Sequence, residues 1–216
     1  EHSTFEEVSY LLLYDRLPNE EELKQFSKRL SEYREIPEPV YELIVQQTQI
    51  YNVHAMSLLR TAISMLADFD VIVEDDAMDA QERVAMKLIA RTATVGAAIG
   101  RANRGLVPIQ PRPDLGHAAN FLYMLYGEEP DDLFTKIMDV ILITHADHGC
   151  NASTFAGLVA ESTLSDMYSV VVTGISTLKG PLHGGANQRV MAMLDEIGSA
   201  ANAEVWIKDA LARKKK

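Results

Sequence analysis

Apolar residues recur at three- and four-residue spacings along nearly the whole chain, while runs that alternate apolar and polar residues are almost absent. A period near 3.6 places side chains on one helical face, whereas a period of two would place them on one face of a strand. The pattern predicts an all-α fold. Phe5, Val8, Leu11 and Leu12 start it, with Ser3 and Glu6 ahead of them at capping-box spacing. Asn19, followed by Glu20, Glu21 and Glu22, predicts a second helix from near Leu23. Pro37 and Pro39 precede a third, Val40 to Gln49, and Asn52 is placed to cap a fourth, Val53 to Phe69.

Asp79 is placed to cap a long fifth helix running towards Arg104 and ended by Gly105. Its stretch Ala93 to Gly100 is rich in small residues, which permits close helix crossing. Three prolines make Gly105 to Gly116 the clearest loop. Beyond it, helices are expected over His117 to Tyr126, Asp131 to Thr144, Asn151 to Leu164, Asp166 to Leu178, Ala186 to Ile197 and Ala203 to Lys215. Val71 to Val73 and Ser169 to Val172 are β-branched, but both lie inside helical patterns. Arg213 to Lys216 reads as a solvated helix C-terminus, where cations suit the dipole.

With 216 residues, 47% of them apolar, the chain can bury a sizeable core. A net charge of -11 argues against nucleic acid as a main partner, which needs a concentrated basic face. Cys150 stands alone, so no intrachain disulfide forms, and a cytoplasmic setting is the simplest reading. No apolar run approaches the ~20 residues of a membrane span, so no membrane partner is expected. The chain opens on Glu1 rather than Met and closes on Lys216 without a cap. It is expected to be a single helical piece, 1–216, of a larger fold.

Two polar segments interrupt the apolar helices. The first is Gly180-Pro181-Leu182-His183-Gly184-Gly185-Ala186-Asn187. Glycine and proline place the next helix start near Gly185, so His183 stands at a helix N-terminus. The positive end of the dipole disfavours imidazolium there, and a neutral imidazole can polarise a carbonyl. The paired glycines would let a substrate approach the backbone. An ordinary turn histidine is the competing reading.

The second segment is Thr144-His145-Ala146-Asp147-His148-Gly149-Cys150-Asn151-Ala152-Ser153-Thr154. Three readings stand. Asn151 or Ser153 caps a helix and the histidines satisfy backbone groups; or His145, His148, Asp147 and Cys150 gather a metal; or the polar groups face a carboxylate- and carbonyl-bearing substrate. The metal reading lacks a second ligand pair, and a lone His-x-x-His carries little weight. His54 and His117 have apolar neighbours and read as packing residues, while Arg60, Arg91 and Arg101 read as helix-surface arginines. No Gly-x-Ser-x-Gly elbow, Walker loop or dinucleotide fingerprint occurs.

The stretch from Thr144 to Asn187 resembles the citrate synthase family, which includes 2-methylcitrate synthases. The resemblance rests on His-Ala-Asp-His, Asn-Ala-Ser-Thr-Phe-Ala, Ser-Thr-Leu-Ser-Asp-Met-Tyr-Ser and Leu-Lys-Gly-Pro-Leu-His-Gly-Gly-Ala-Asn. Weaker agreement covers Thr4 to Pro18, Val53 to Ser64 and Arg112 to Pro130. The resemblance implies the helical large domain of that fold and condensation of acetyl-CoA with oxaloacetate. Acetyl-CoA is a co-substrate, and no cofactor is implied. His183 would donate to the thioester oxygen, Ser153 would support His183, and His148, Asn151 and His145 would face the oxaloacetate or citrate.

Gly149 departs from the family, since many relatives carry an acidic residue there, and Ala55 stands where relatives often have Pro. The resemblance also implies a smaller domain, beyond Lys216, holding a second catalytic histidine, the aspartate base, the carboxylate-binding arginines and much of the CoA site. The 216 residues alone are therefore expected to be inactive, because enolisation needs acid and base together. A homodimer through the helices in 156–178 is implied as well. The alternatives are 2-methylcitrate synthesis from propionyl-CoA, a non-catalytic helical interaction or regulatory protein, and, more distantly, a metal-dependent hydrolase.

Overall fold

The computed structural model describes residues 2–51, 53–73 and 77–214, apart from the side chains of Tyr51, Asn187 and Lys214. Its elements are all helical: α1 (Phe5–Tyr14), α2 (Glu20–Glu32), α3 (Glu38–Tyr51), α4 (Ala55–Ala67), α5 (Met78–Ala102), α6 (His117–Tyr126), α7 (Asp132–Ala146), α8 (Ala152–Glu161), α9 (Met167–Leu178), α10 (Gly185–Ile197), a single 3-10 turn (Ala200–Asn202) and α11 (Ala203–Lys214). No strand occurs among the described residues. Val71 to Val73 form a turn, and Ser169 to Val172 lie inside α9.

The caps explain most boundaries. Asn19 and Glu22 form a reciprocal capping box at α2, which therefore starts at Glu20 rather than near Leu23. Asp131 caps α7 through Phe134 N, and Gly127 ends α6 at φ 93°, a left-handed conformation that suits glycine.

Other starts depart from the sequence pattern. At α1 the capping box is Thr4 with Glu7, one residue later than Ser3 with Glu6. Glu6 is buried and accepts from His117 N at 2.7 Å. At α3 the helix includes Pro39, whose absent N–H costs nothing in a first turn that has no intrahelical acceptor. His54 caps α4, its Nδ1 accepting from Met56 N at 3.2 Å; it is exposed, so the packing expectation fails for it. Asn52, expected as that cap, lies outside the described residues. Asp79 is not the cap of α5 either. It sits inside the first turn and pairs with Arg83 one turn on.

Residues 2–176 form one compact unit and residues 177–214 another. In the first, α5 packs against α2, α3, α4 and α6. The main core joins Val40 and Ile44 of α3, Leu58, Ile63 and Leu66 of α4, Val84, Leu88, Val95 and Ile99 of α5, and Tyr168 and Ile175 of α9. The small residues of α5 do admit α6: Gly96 faces Phe121, and a Cβ on Gly100 would lie 2.6 Å from Leu125. A second cluster holds Tyr10, Phe26, Leu30, Met86 and Ala90.

The proline-rich loop is pinned by buried Arg34, which donates to the carbonyls of Arg112 and Leu115 at 2.8 and 2.7 Å. Arg91 and Arg101 also donate to carbonyls, those of Glu35 and Val107, so they act as loop anchors and not as solvated surface residues. In the second unit, α10 ends at Gly198 (φ 70°), Asn202 donates to the Ile197 carbonyl, and Trp206 Nε1 donates to Glu196.

Candidate active site

Four of the five candidate residues lie within nine positions, where α7 ends and α8 begins. His145 occupies the last turn of α7, and its Nδ1 lies 2.7 Å from the Ile141 carbonyl. A carbonyl only accepts, so Nδ1 carries the proton and Nε2 presents a lone pair when the ring is neutral. His148 lies in the exposed link between the helices. That link turns through Asp147, whose Oδ1 accepts from Gly149 N at 2.8 Å, and through Gly149 itself, at φ 60°. The departure at Gly149 thus sits at a left-handed residue, where glycine carries no Cβ penalty.

Asn151 is the N-cap of α8, its Oδ1 accepting from Thr154 N at 3.0 Å. The capping reading of the segment therefore holds for Asn151 and not for Ser153, which lies one residue inside the helix. Ser153 Oγ donates to the Gly174 carbonyl of α9 at 3.0 Å. That bond bridges α8 to α9. A Cβ at Gly174 would stand 3.9 Å from Ser153, and one at Gly157 would stand 3.4 Å from Val170. The sequence pattern does not single out Gly157 and Gly174, which stand where α8 meets α9.

Among the described residues, no three His, Cys, Asp or Glu side chains converge as a metal-binding group. A cleft of about 690 Å³ between α3 and the proline-rich loop, lined by Tyr41, Gln46, Val107 and Gln110, contains none of the candidate residues.

His183 belongs to the second unit. Gly180 N donates to Thr177 O, His183 N to Gly180 O and Gly184 N to Leu178 O, so the chain from 177 to 184 is a wound turn. The turn delivers α10 at Gly185, as the glycine and proline spacing predicts, and places His183 two residues ahead of the first helical residue. Gly184 has an internal reason to be glycine. A Cβ there would collide with the Leu178 carbonyl and lie 2.8 Å from its Cδ1, whereas one at Gly185 would meet nothing closer than 3.5 Å. The closest approach to the backbone at Gly184 is therefore made by the protein itself.

The sequence pattern described as "Citrate synthase, C-terminal domain" matches residues 1–216. This chain belongs to the citrate synthase family. It is 48% identical over 216 residues to a citrate synthase of Deinococcus radiodurans, covering all of this chain and 57% of that relative. It is 44% identical over 213 residues to a 2-methylcitrate synthase of Mycobacterium tuberculosis, covering 99% of this chain and 53% of that one. The chain thus spans about half the length of these members of the family.

Among solved structures, the citrate synthase of Thermoplasma acidophilum, in a ternary complex with carboxymethyl coenzyme A and oxaloacetate, matches with a TM-score of 0.86 at 32% identity. That match covers 99% of this chain and 55% of the other. The family, and the helical fold that goes with it, are those expected from the stretch Thr144 to Asn187.

Proposed function

We propose that this chain supplies the His183 half of a citrate synthase active site, in a protein that condenses acetyl-CoA with oxaloacetate to give citrate and CoA. The observation carrying the proposal is the family match along all 216 residues, with the His183 turn intact at the start of α10.

In this reading a base outside the 216 residues removes a proton from the acetyl methyl group. His183 donates a hydrogen bond to the thioester oxygen as negative charge develops there. Donors preorganised at such an oxygen stabilise the enol-forming transition state more than the ground state. The enol carbon then attacks the keto carbon of oxaloacetate, forming the C–C bond, and the new alkoxide takes a proton. Water cleaves the citryl thioester to citrate and CoA. Ser153 supports His183, and His148, Asn151 and His145 contact the oxaloacetate carboxylates and carbonyl. Acetyl-CoA is consumed as a substrate, and no cofactor is needed.

A base and carboxylate-binding arginines lie outside this set of residues. The 216-residue chain alone is therefore expected to release no CoA above a His183→Ala control, while the full-length protein does so and loses at least 100-fold in kcat on the same substitution. CoA release by the 216-residue chain would overturn the division of the site. Full activity of His183→Ala in the full-length protein would overturn the role of the turn.

The 44% identity to a 2-methylcitrate synthase supports a second reading, with propionyl-CoA as the acyl donor. Comparing kcat/KM for acetyl-CoA and propionyl-CoA in the full-length protein separates the two. We further propose a homodimer through the helices in 156–178, in the cytoplasm. Leu158, Val159 and Leu164 are large apolar residues exposed on that stretch, which supports the reading. No helix among the described residues is long and apolar enough to cross a membrane. Light scattering of the full-length protein at twice the monomer mass is the expected result, and a monomer mass at high concentration would overturn the dimer.

A further inference from the structure

Asp70 is a buried carboxylate at the end of α4 that the proposed chemistry does not use. It joins three elements. Lys87 of α5 donates to its Oδ1 at 2.7 Å, and Tyr168 in the first turn of α9 donates through its hydroxyl to Oδ2 at 2.8 Å. The backbone N–H of Ile72 reaches Oδ1 at 3.4 Å. The Asp70 side chain has no exposed surface, and Tyr168 is 1% exposed, so the bond between them is shielded from water. Burial opposes the charge on Asp70, but the hydrogen bonds from Lys87 and Tyr168 and the Lys87 charge outweigh it and hold the carboxyl below its ordinary pKa. The anchor is therefore charged at neutral pH, and charge-assisted bonds of this kind are short and stiff.

Tyr168 and Gly174 share α9, six residues or about 9 Å apart along the axis. Gly174 supplies the carbonyl that accepts from Ser153 Oγ at 3.0 Å, and four residues further along α8 Gly157 faces Val170 of α9. The backbone hydrogen bonds of a regular helix carry its residues together, so α9 shifts as a body between Tyr168 and Gly174. The axial and rotational setting of α9, fixed at Tyr168, therefore fixes the carbonyl on which Ser153 is held.

We propose that Asp70 and Tyr168 are positioning residues for Ser153, acting through the register of α9 on α8. The mechanical part stands on the geometry alone; its consequence for catalysis rests on the function proposed above for Ser153.

The test uses the full-length protein with Tyr168→Phe, which removes one hydroxyl and keeps the ring in the core, and Asp70→Asn as a second variant. Amide exchange reads the coupling without any assay of activity. In Tyr168→Phe, the Thr154 and Phe155 amides at the start of α8 are expected to exchange at least threefold faster, while the amides of α2 keep their rates. Unchanged rates at Thr154 and Phe155, or an equal rise everywhere, would overturn the coupling.

Kinetics then read the consequence. Tyr168→Phe and Ser153→Ala are each expected to lower kcat about tenfold with KM within twofold, and the double variant to be no slower than the slower single one. Fully multiplicative losses would overturn the proposal. Faster exchange at Thr154 combined with a silent Ser153→Ala would leave the coupling standing and refute the catalytic reading of Ser153. The opposite pattern would refute the coupling and leave that reading in place.

Discussion

Gly184 N donates to the Leu178 carbonyl at 2.9 Å, and the approach that makes this bond leaves no room for a side chain at residue 184. Gly184→Ala must push Leu178 away or open the turn, and overpacking of this kind costs about 1–3 kcal/mol. Gly185 begins α10, has a negative φ and no such contact, so Gly185→Ala should be tolerated or slightly favourable. Amide exchange over residues 180–190 tests the contrast. Equal protection in the two alanine variants would mean that the Leu178 contact does not hold the turn.

Asn151 carries a structural duty and a proposed catalytic one, and two substitutions separate them. Its Oδ1 caps α8 through Thr154 N. Asn151→Ala loses the cap, at about 1 kcal/mol, and loses any contact with substrate. Asn151→Ser retains a capping oxygen but cannot reproduce the amide. Urea unfolding should find Asn151→Ser within about 0.5 kcal/mol of the parent, while its KM for oxaloacetate rises with that of Asn151→Ala. A parental KM in Asn151→Ser would confine Asn151 to capping.

How far the sequence told this in advance follows from the range of each interaction. Caps that act over three residues are readable: Asn19 and Asn151 head their helices because a side chain reaches an N–H within its own turn. The winding of the His183 turn was readable from its glycines and proline. The sequence pattern places the start of α1 one residue early, because Glu6 is drawn to His117 N, 111 positions away, and the cap falls to Thr4 and Glu7 instead. Asp79 looked like a cap by type, yet its carboxylate pairs with Arg83. At the candidate site, the polar types around His148 were visible. The partner of Ser153 was not, because Gly174 lies 21 residues on and reaches it only once α8 packs on α9.

Gly149 has no atom within 4 Å of where a Cβ would stand, so any cost of substitution there comes from φ alone. Holding a residue with a Cβ at φ 60° costs roughly 1–2 kcal/mol, and less for Asn or Asp, whose short polar side chains tolerate that region. Gly149→Ala should therefore be less stable than Gly149→Asp in thermal unfolding. Equal melting temperatures for the alanine and aspartate variants would count against a backbone origin.

His117 gives the clearest dependence on pH. Its ring is 4% exposed and stacks on Phe5 with centroids 4.7 Å apart, as a packing histidine should, but Nδ1 is buried without a partner among the described residues. Burial, helped by the nearby Arg34 charge, lowers its pKa from 6.5 to about 3. Between those values the unfolded chain binds a proton on this imidazole that the folded chain refuses. Its neutral form favours folding fully above pH 6.5, and that contribution is lost as the pH falls towards 3, by up to about 1.4 kcal/mol per pH unit. His117→Phe keeps a ring against Phe5 and removes the titration. Measured by urea unfolding at pH 7, 6 and 5, the variant should gain on the parent as the pH falls, with most of the gain below pH 6. A difference between parent and variant that stays constant over this range would show that His117 is protonated in the folded state as easily as in the unfolded one.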